Sequence, residues 1–164
     1  EDIIPITVSE RLFDKGDILV GRNVKIEGQV RSYNNCTGPK SKLIISVFAR
    51  ELFYDNGEND NKIEINGFIC REPVYRVTPM GREITDLLVA VNRAYNKSDY
   101  IPCIVWGRNA RFAGRLAIGD NIKITGRIQS RKYQKKTQDG IEEKTAYEIS
   151  VSRIEKVSTA DNVE

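Results

Sequence analysis

The sequence predicts an all-β protein. We read one complete five-stranded Greek-key barrel with a short helix between its third and fourth strands, preceded by the C-terminal half of a second copy of that unit. Three observations lead there. Apolar and polar residues alternate with period two between turn signals along most of the chain. One segment alone switches to helical spacing. And the first third of the chain repeats part of the last two-thirds: Asp2-Ile3-Ile4-Pro5-Ile6-Thr7-Val8 matches Asp99-Tyr100-Ile101-Pro102-Cys103-Ile104-Val105 in residue type. Val20 to Gly28 then falls on Ile118 to Gly126, and Ile45-Ser46-Val47 is expected on Ile149-Ser150-Val151. Nothing in the first copy corresponds to Lys62 to Lys97. Self-similarity of this kind constrains a fold more than local propensity does. It leads us to expect a fragment lacking the first strands of repeat one. The alternative is a natural half-unit completed by another chain through strand exchange.

Within the whole unit, Lys62 to Arg71 sets Ile63, Ile65, Gly67 and Ile69 against Lys62, Glu64 and Asn66, so one face is apolar. Glu72-Pro73 ends or bends that strand, and Thr78-Pro79-Met80-Gly81 is turn chemistry. Ile84 to Val91 is apolar enough for a strand covered on both faces. Asn92 to Ser98 reads as a polar loop and Tyr100 to Trp106 as the third strand. Ala110, Ala113 and Leu116 lie at helical intervals, which places a short helix before Gly119. Asn121 to Tyr133 alternates again, Lys135 to Glu143 reads as a long polar hairpin loop, and Lys144 to Val157 closes the unit. In the half-unit the end of strand three is followed by a helical or looped piece around Glu10 to Lys15 and then by strands four and five. Asp55 to Asn61, without an apolar residue, is the linker.

Strand, strand, strand, helix, strand, strand is the order of an OB-fold. An SH3-like barrel or open sandwich would explain the strands but not the helix. The expected domains are 1–58 (partial repeat), 59–157 (complete unit) and 158–164 (short polar tail).

Composition narrows the function. At 164 residues with 40% hydrophobic and 30% charged content, the chain has the make-up of an ordinary globular protein, and no apolar run approaches the roughly 20 residues of a membrane helix. Three scattered cysteines and no histidine argue against a metal site, and no cofactor is expected. Reduced cysteines suit a cytoplasmic protein. A histidine general base, a Cys/His pair and a phosphate-cradling glycine loop are all missing, so catalysis is disfavoured and no catalytic residue is assigned. The net charge of +3 is unevenly spread: residues 1–61 carry 8 Lys/Arg against 10 Asp/Glu, and residues 62–157 carry 18 against 11. A polyanion would therefore meet the second unit.

That unit also has a face suited to one. In strand three Tyr100 and Trp106 share parity, opposite Ile101, Cys103 and Val105. In strand four Lys123, Arg127, Arg131 and Tyr133 lie opposite Ile122, Ile124 and Ile128. Aromatic and basic residues thus interleave on one side of two strands.

At these residues the sequence resembles the bacterial single-stranded DNA-binding protein family. The matching pieces run from Asn66-Gly67, Pro73, Arg76 and Thr78-Pro79-Met80-Gly81 through Ala90-Val91-Asn92-Arg93. They continue with Ser98 to Ala110, Gly119-Asp120 and Gly126 to Tyr133, covering about 62–157. The resemblance implies an OB-fold of the two-domain type with its first domain truncated. It implies sequence-tolerant binding of single-stranded DNA in replication, repair or recombination, without catalysis, and a cytoplasmic, nucleoid-associated homodimer or higher homo-oligomer that meets replication proteins. The family's stacking aromatics fall on Tyr100, Trp106 and Tyr133 and its basic contacts near Arg76, Arg127, Arg131 and Lys132. Lys135 and Lys136 extend the cluster along a loop that OB-folds use for oligonucleotides.

Plainer readings stand beside these. Trp106 would otherwise be core, Tyr100 a subunit contact, the Arg131–Lys136 cluster a solvated loop, and Arg108, Arg111 and Arg115 a solvent face. Tyr95 is a weaker stacking candidate. In the half-unit Ile3 and Ser9 replace the stacking pair, which points to an architectural first domain with Tyr33 a lone exception. The chain ends Asp161-Asn162-Val163-Glu164, without the family's Gly/Pro-rich recruiting tail. Either that tail was lost or the protein is no recruiting hub. Other classes also fit: an interaction protein resembling primosomal replication protein N, or an RNA-binding OB module.

Overall fold

In a computed structural model, residues 2–36 and 42–158 are described. They form two units, Ile4–Asp60 and a second containing Asn61 onward with Asp2 and Ile3.

The second unit is a closed barrel. Its strands are β4 (Ile63–Ile69), β5 (Val74–Val77), β6 (Glu83–Arg93), β7 (Lys97–Trp106), β8 (Asn121–Thr137) and β9 (Gly140–Lys156), with helix α1 (Arg108–Gly114) between β7 and β8. The sheet order is β4-β8-β9-β7-β6-β5, and a further β4–β6 pairing, Phe68↔Ala90 and Ile69↔Val89, closes it. All neighbours are antiparallel except β7 and β9, which run parallel at Cys103↔Ile149. The alternation places Ile65, Ile69, Leu87, Val89, Ile101, Cys103, Val105, Ile122, Ile124 and Ile149 inside, all buried. A fully buried aliphatic side chain of this size contributes about 1.5–3 kcal/mol. Helix α1 adds Ala110 and Ala113, both without exposure, and the Thr85 hydroxyl donates to the Ala110 carbonyl at 2.6 Å, tying helix to β6. Asn61, just before β4, extends the β4–β8 ladder with its side chain: its amide nitrogen donates to the Ile128 carbonyl at 2.7 Å and its amide oxygen accepts the Ile128 N–H at 3.0 Å.

Three details differ from the expectation. The first barrel strand is split into β4 and β5 around Cys70 to Pro73. All four residues of β5 are exposed at a sheet edge, so no alternation advertised it, and Pro73 sits just outside it, where no ladder bond is needed. The loop predicted over Asn92 to Ser98 shrinks to Ala94–Asn96, because Asn92↔Ser98 and Arg93↔Lys97 are paired and Tyr95 and Asn96 take positive φ. The loop predicted over Lys135 to Glu143 is mostly a two-stranded ribbon paired to its tip at Thr137↔Gly140. Neither face of that ribbon tip is buried, so backbone pairing holds it without a hydrophobic signature.

The first unit is a three-stranded sheet ordered β1-β3-β2, with β1 at Ile6–Thr7, β2 at Val24–Asn35 and β3 at Lys42–Tyr54; a 3-10 turn, Glu10–Leu12, stands where α1 stands in the barrel. As β7 does on β9, β1 runs parallel to β3. Among the described residues each unit carries a β-bulge, at Glu27/Gly28 and at Thr125/Gly126. Gly28 pairs with Ala49 and Gly126 with Val151, while Ile6 pairs with Val47 and Cys103 with Ile149. The equivalent of Ile149-Ser150-Val151 is therefore Val47-Phe48-Ala49, two residues beyond the expected Ile45-Ser46-Val47. Of the expected tail 158–164, all but Ser158 lies outside the described residues.

Candidate nucleic-acid interface

Cross-strand partners share a sheet face, so register alone defines the outer surface of the barrel. Ile84 stands directly between Arg76 on β5 and Trp106 on β7. Two residues along, Asp86 lies opposite Ile104, Ile104 opposite Ser150, and Ser150 opposite Arg127. Further on, Ala90 separates Phe68 from Tyr100. The outer faces of β5, β6, β7, β9 and β8 are thus one continuous surface, bearing Arg76, Trp106, Tyr100 and Arg127. Along β8, Gln129, Arg131, Tyr133 and Lys135 continue on the side of Arg127. Tyr100 is 40% exposed, and Trp106 and Tyr133 are half-buried.

This surface is hydrophobic under a polar cover. Ile84 and Ile104 point outward, yet each is only 2% exposed. Arg76 Nε donates to Asp86 Oδ2 at 3.0 Å. Arg131 Nε donates to Glu148 Oε1 at 3.0 Å, and Gln129 Nε2 donates to the same oxygen at 3.0 Å. The Glu148 hydrogen bond raises the Arg131 guanidinium above its ordinary value against a smaller opposing effect of desolvation, and Asp86 adds to the rise.

The ribbon does not bring every predicted residue to that side. Lys132 and Lys136 have the opposite parity to Arg131 and Tyr133, and Lys132 pairs with Glu143 at 3.4 Å. On α1, Arg111 turns to Glu83 at 2.8 Å. Tyr95, at the β6–β7 turn, is 94% exposed.

Three residues of this face escaped the sequence reading. Phe68, 41% exposed beside Ala90, sits at the polar parity of β4, and an aromatic on that parity is the signal that could have found it. Asp86 and Glu148 are the carboxylates that hold two of the arginines; only cross-strand register reveals them.

Among the described residues no cluster of three or more His, Cys, Asp or Glu could hold a metal ion, and no helix is long and apolar enough to cross a membrane.

Residues 60–157 match the single-strand binding protein family. The single-stranded DNA-binding protein of Clostridium tetani is 35% identical over 83 residues, 46% of this chain and 57% of that protein. That of Oceanobacillus iheyensis is 33% identical over 98 residues, 56% of this chain and 58% of that protein. The chain thus spans somewhat over half the length of these relatives. The crystal structure of wild-type single-stranded DNA binding protein from Thermus aquaticus superposes with a TM-score of 0.71 at 22% identity, covering 88% of this chain and 64% of that one. That likeness is one of fold, and the barrel is an OB-fold. With its family match extending over the whole barrel, this chain belongs to the single-strand binding protein family.

Proposed function

We propose that this protein binds single-stranded DNA, sequence-tolerantly and without catalysis, through the outer face of its second unit, and so protects unwound strands in replication, repair or recombination. One observation carries the reading: Trp106, Tyr100, Arg76 and Arg127 occupy a single sheet face whose register is continuous from β5 to β8. Bases stack on aromatic rings whatever their identity, at roughly 1–3 kcal/mol each, while guanidinium groups follow the phosphates. Tyr133 and Lys135 extend this face along the ribbon, and Lys132 and Lys136 serve a strand that wraps its far side. Names of the curated relatives support the same ligand.

The first third of the chain, net acidic over residues 1–61 and with Ile3 and Ser9 in place of the stacking pair, serves architecture. Its β2 pairs with β3 on one side alone among the described residues, and β5 is likewise an edge. Exposed edges of this kind invite pairing, so the working form is a homodimer or larger assembly in the cytoplasm, on the nucleoid and in reach of replication proteins. Light scattering over a concentration series tests this, and a strict monomer would count against it.

Trp106 is the sole tryptophan, so its fluorescence has one source. Titration with oligo-dT should quench it deeply and saturably, and raised salt should weaken the binding as counterions are released. A folded protein that shows no quenching removes DNA from this face.

A further inference from the structure

Among the described residues three arginines lie over aromatic rings. In the first unit, Arg22 rests 3.7 Å from the Tyr54 ring centroid and Arg31 3.9 Å from that of Phe48; both are closed stacks. In the second, Arg82 stands over Trp106 at 5.9 Å. That gap is too wide for direct stacking. It is just short of the roughly 7 Å, two stacking spacings of about 3.4 Å, needed to hold a flat base between guanidinium and indole.

The surroundings of Arg82 favour such a role. It is exposed, and among the described residues no carboxylate pairs with it. Arg76, Arg93, Arg111 and Arg131, by contrast, are engaged by Asp86, Asp99, Glu83 and Glu148. The neighbouring carboxylate, Glu83, is occupied by Arg111 and by the Tyr75 hydroxyl. The backbone under Arg82 is fixed: its N–H donates to Thr78 Oγ1 at 3.0 Å, its carbonyl accepts the Thr78 N–H at 2.8 Å, and the Gly81 N–H donates to the Thr78 carbonyl at 2.8 Å. A guanidinium on a braced turn, free of acids and a little less than one base-thickness clear of an indole, is half of a clamp that opens slightly to admit a base.

We infer that Arg82 and Trp106 sandwich one base of the bound strand, Arg82 closing the side away from the indole. This rests on the single-stranded DNA reading above. The base class is open, because a guanidinium plane stacks on any base.

The test compares wild type, Arg82→Ala and Arg82→Lys in Trp106 quenching by oligo-dT across a salt series, with thermal unfolding to verify the fold. Arg82→Ala should weaken binding about tenfold with the salt slope unchanged. Arg82→Lys, which keeps the charge but not the plane, should recover little. An oligonucleotide of abasic sites should erase the difference between wild type and Arg82→Ala. Full recovery by lysine, or a slope reduced by about 0.7 in Arg82→Ala, would make Arg82 a phosphate contact and overturn the clamp. So would an Arg82→Ala variant that binds as wild type. If wild type itself fails to bind, the parent reading has failed, a separate result.

Discussion

Gly126 lies so close to Ser150 that a Cβ built on the glycine would overlap the serine's carbonyl oxygen. Gly28 stands in the same relation to the carbonyl of Phe48. Each glycine sits at the bulge of its sheet, where two residues on one strand oppose one on the other and the backbones converge. Gly126→Ala should therefore destabilise the barrel by about 3 kcal/mol, since the obstacle is backbone and not a side chain that can rotate away. Urea unfolding of the variant against wild type checks this. A loss below about 1 kcal/mol would mean that the bulge can open at little cost.

The same bulge explains what could be read from the sequence and what could not. Val20 to Gly28 and Ile118 to Gly126 align without a gap, and both glycines land at their bulges, so the repeat was legible up to that point. Beyond it the hairpins differ in length, and apolar residues alone gave no reason to prefer Val47-Phe48-Ala49 over Ile45-Ser46-Val47; only the pairing of Ile6 with Val47 decides. The face parity of Tyr100 with Trp106 and of Arg127 with Arg131 was legible because burial of the other face imposes period two. Strand β5 and the ribbon tip were not, because nothing there is buried. Nor could one strand's sequence show that Asp86 and Glu148 reach across to Arg76 and Arg131.

Asn61 substitutes a side chain for a strand residue, bonding both the N–H and the carbonyl of Ile128. Asn61→Ala removes both bonds and should cost about 1–3 kcal/mol. Asn61→Asp keeps the acceptor but turns a donor into a second acceptor facing a carbonyl, so it should recover only part. Faster amide exchange at Ile128 in the alanine variant would locate the damage. Unchanged exchange would show that β8 holds that register without Asn61.

Glu83 accepts from Arg111 Nε and from the Tyr75 hydroxyl, at 2.8 and 2.9 Å. These bonds, Arg111 first, hold its carboxyl below the ordinary glutamate value of 4.5. A depressed carboxyl stabilises the fold above its unfolded value, and that contribution is lost as pH falls through the folded one. Wild type should therefore lose stability more steeply than Glu83→Gln as pH drops below about 4.5, where an unfolded glutamate starts to take up its proton. Melting temperatures at stepped acid pH test the sign. Parallel curves for the two proteins would mean that the network contributes nothing to acid sensitivity.

Glu148 is 6% exposed and faces outward on β9, where it engages Arg131 and Gln129. While Arg131 is bound to that carboxylate its charge is largely spoken for, and it can meet a phosphate only in competition with Glu148. Arg127, on the same face of β8, has no ion-pair partner among the described residues. Two opposite shifts in salt dependence are expected. Arg127→Ala should reduce the slope of log affinity against log salt by about 0.7, the value for one neutralised phosphate on a single strand. Glu148→Gln keeps the length and a hydrogen-bonding oxygen but removes the negative charge; it should steepen the slope by about the same amount and tighten binding several-fold at low salt. Tryptophan quenching by oligo-dT at four salt concentrations measures both. If Glu148→Gln weakened binding at every salt concentration, the carboxylate's main effect would be to aim Arg131 and not to restrain it.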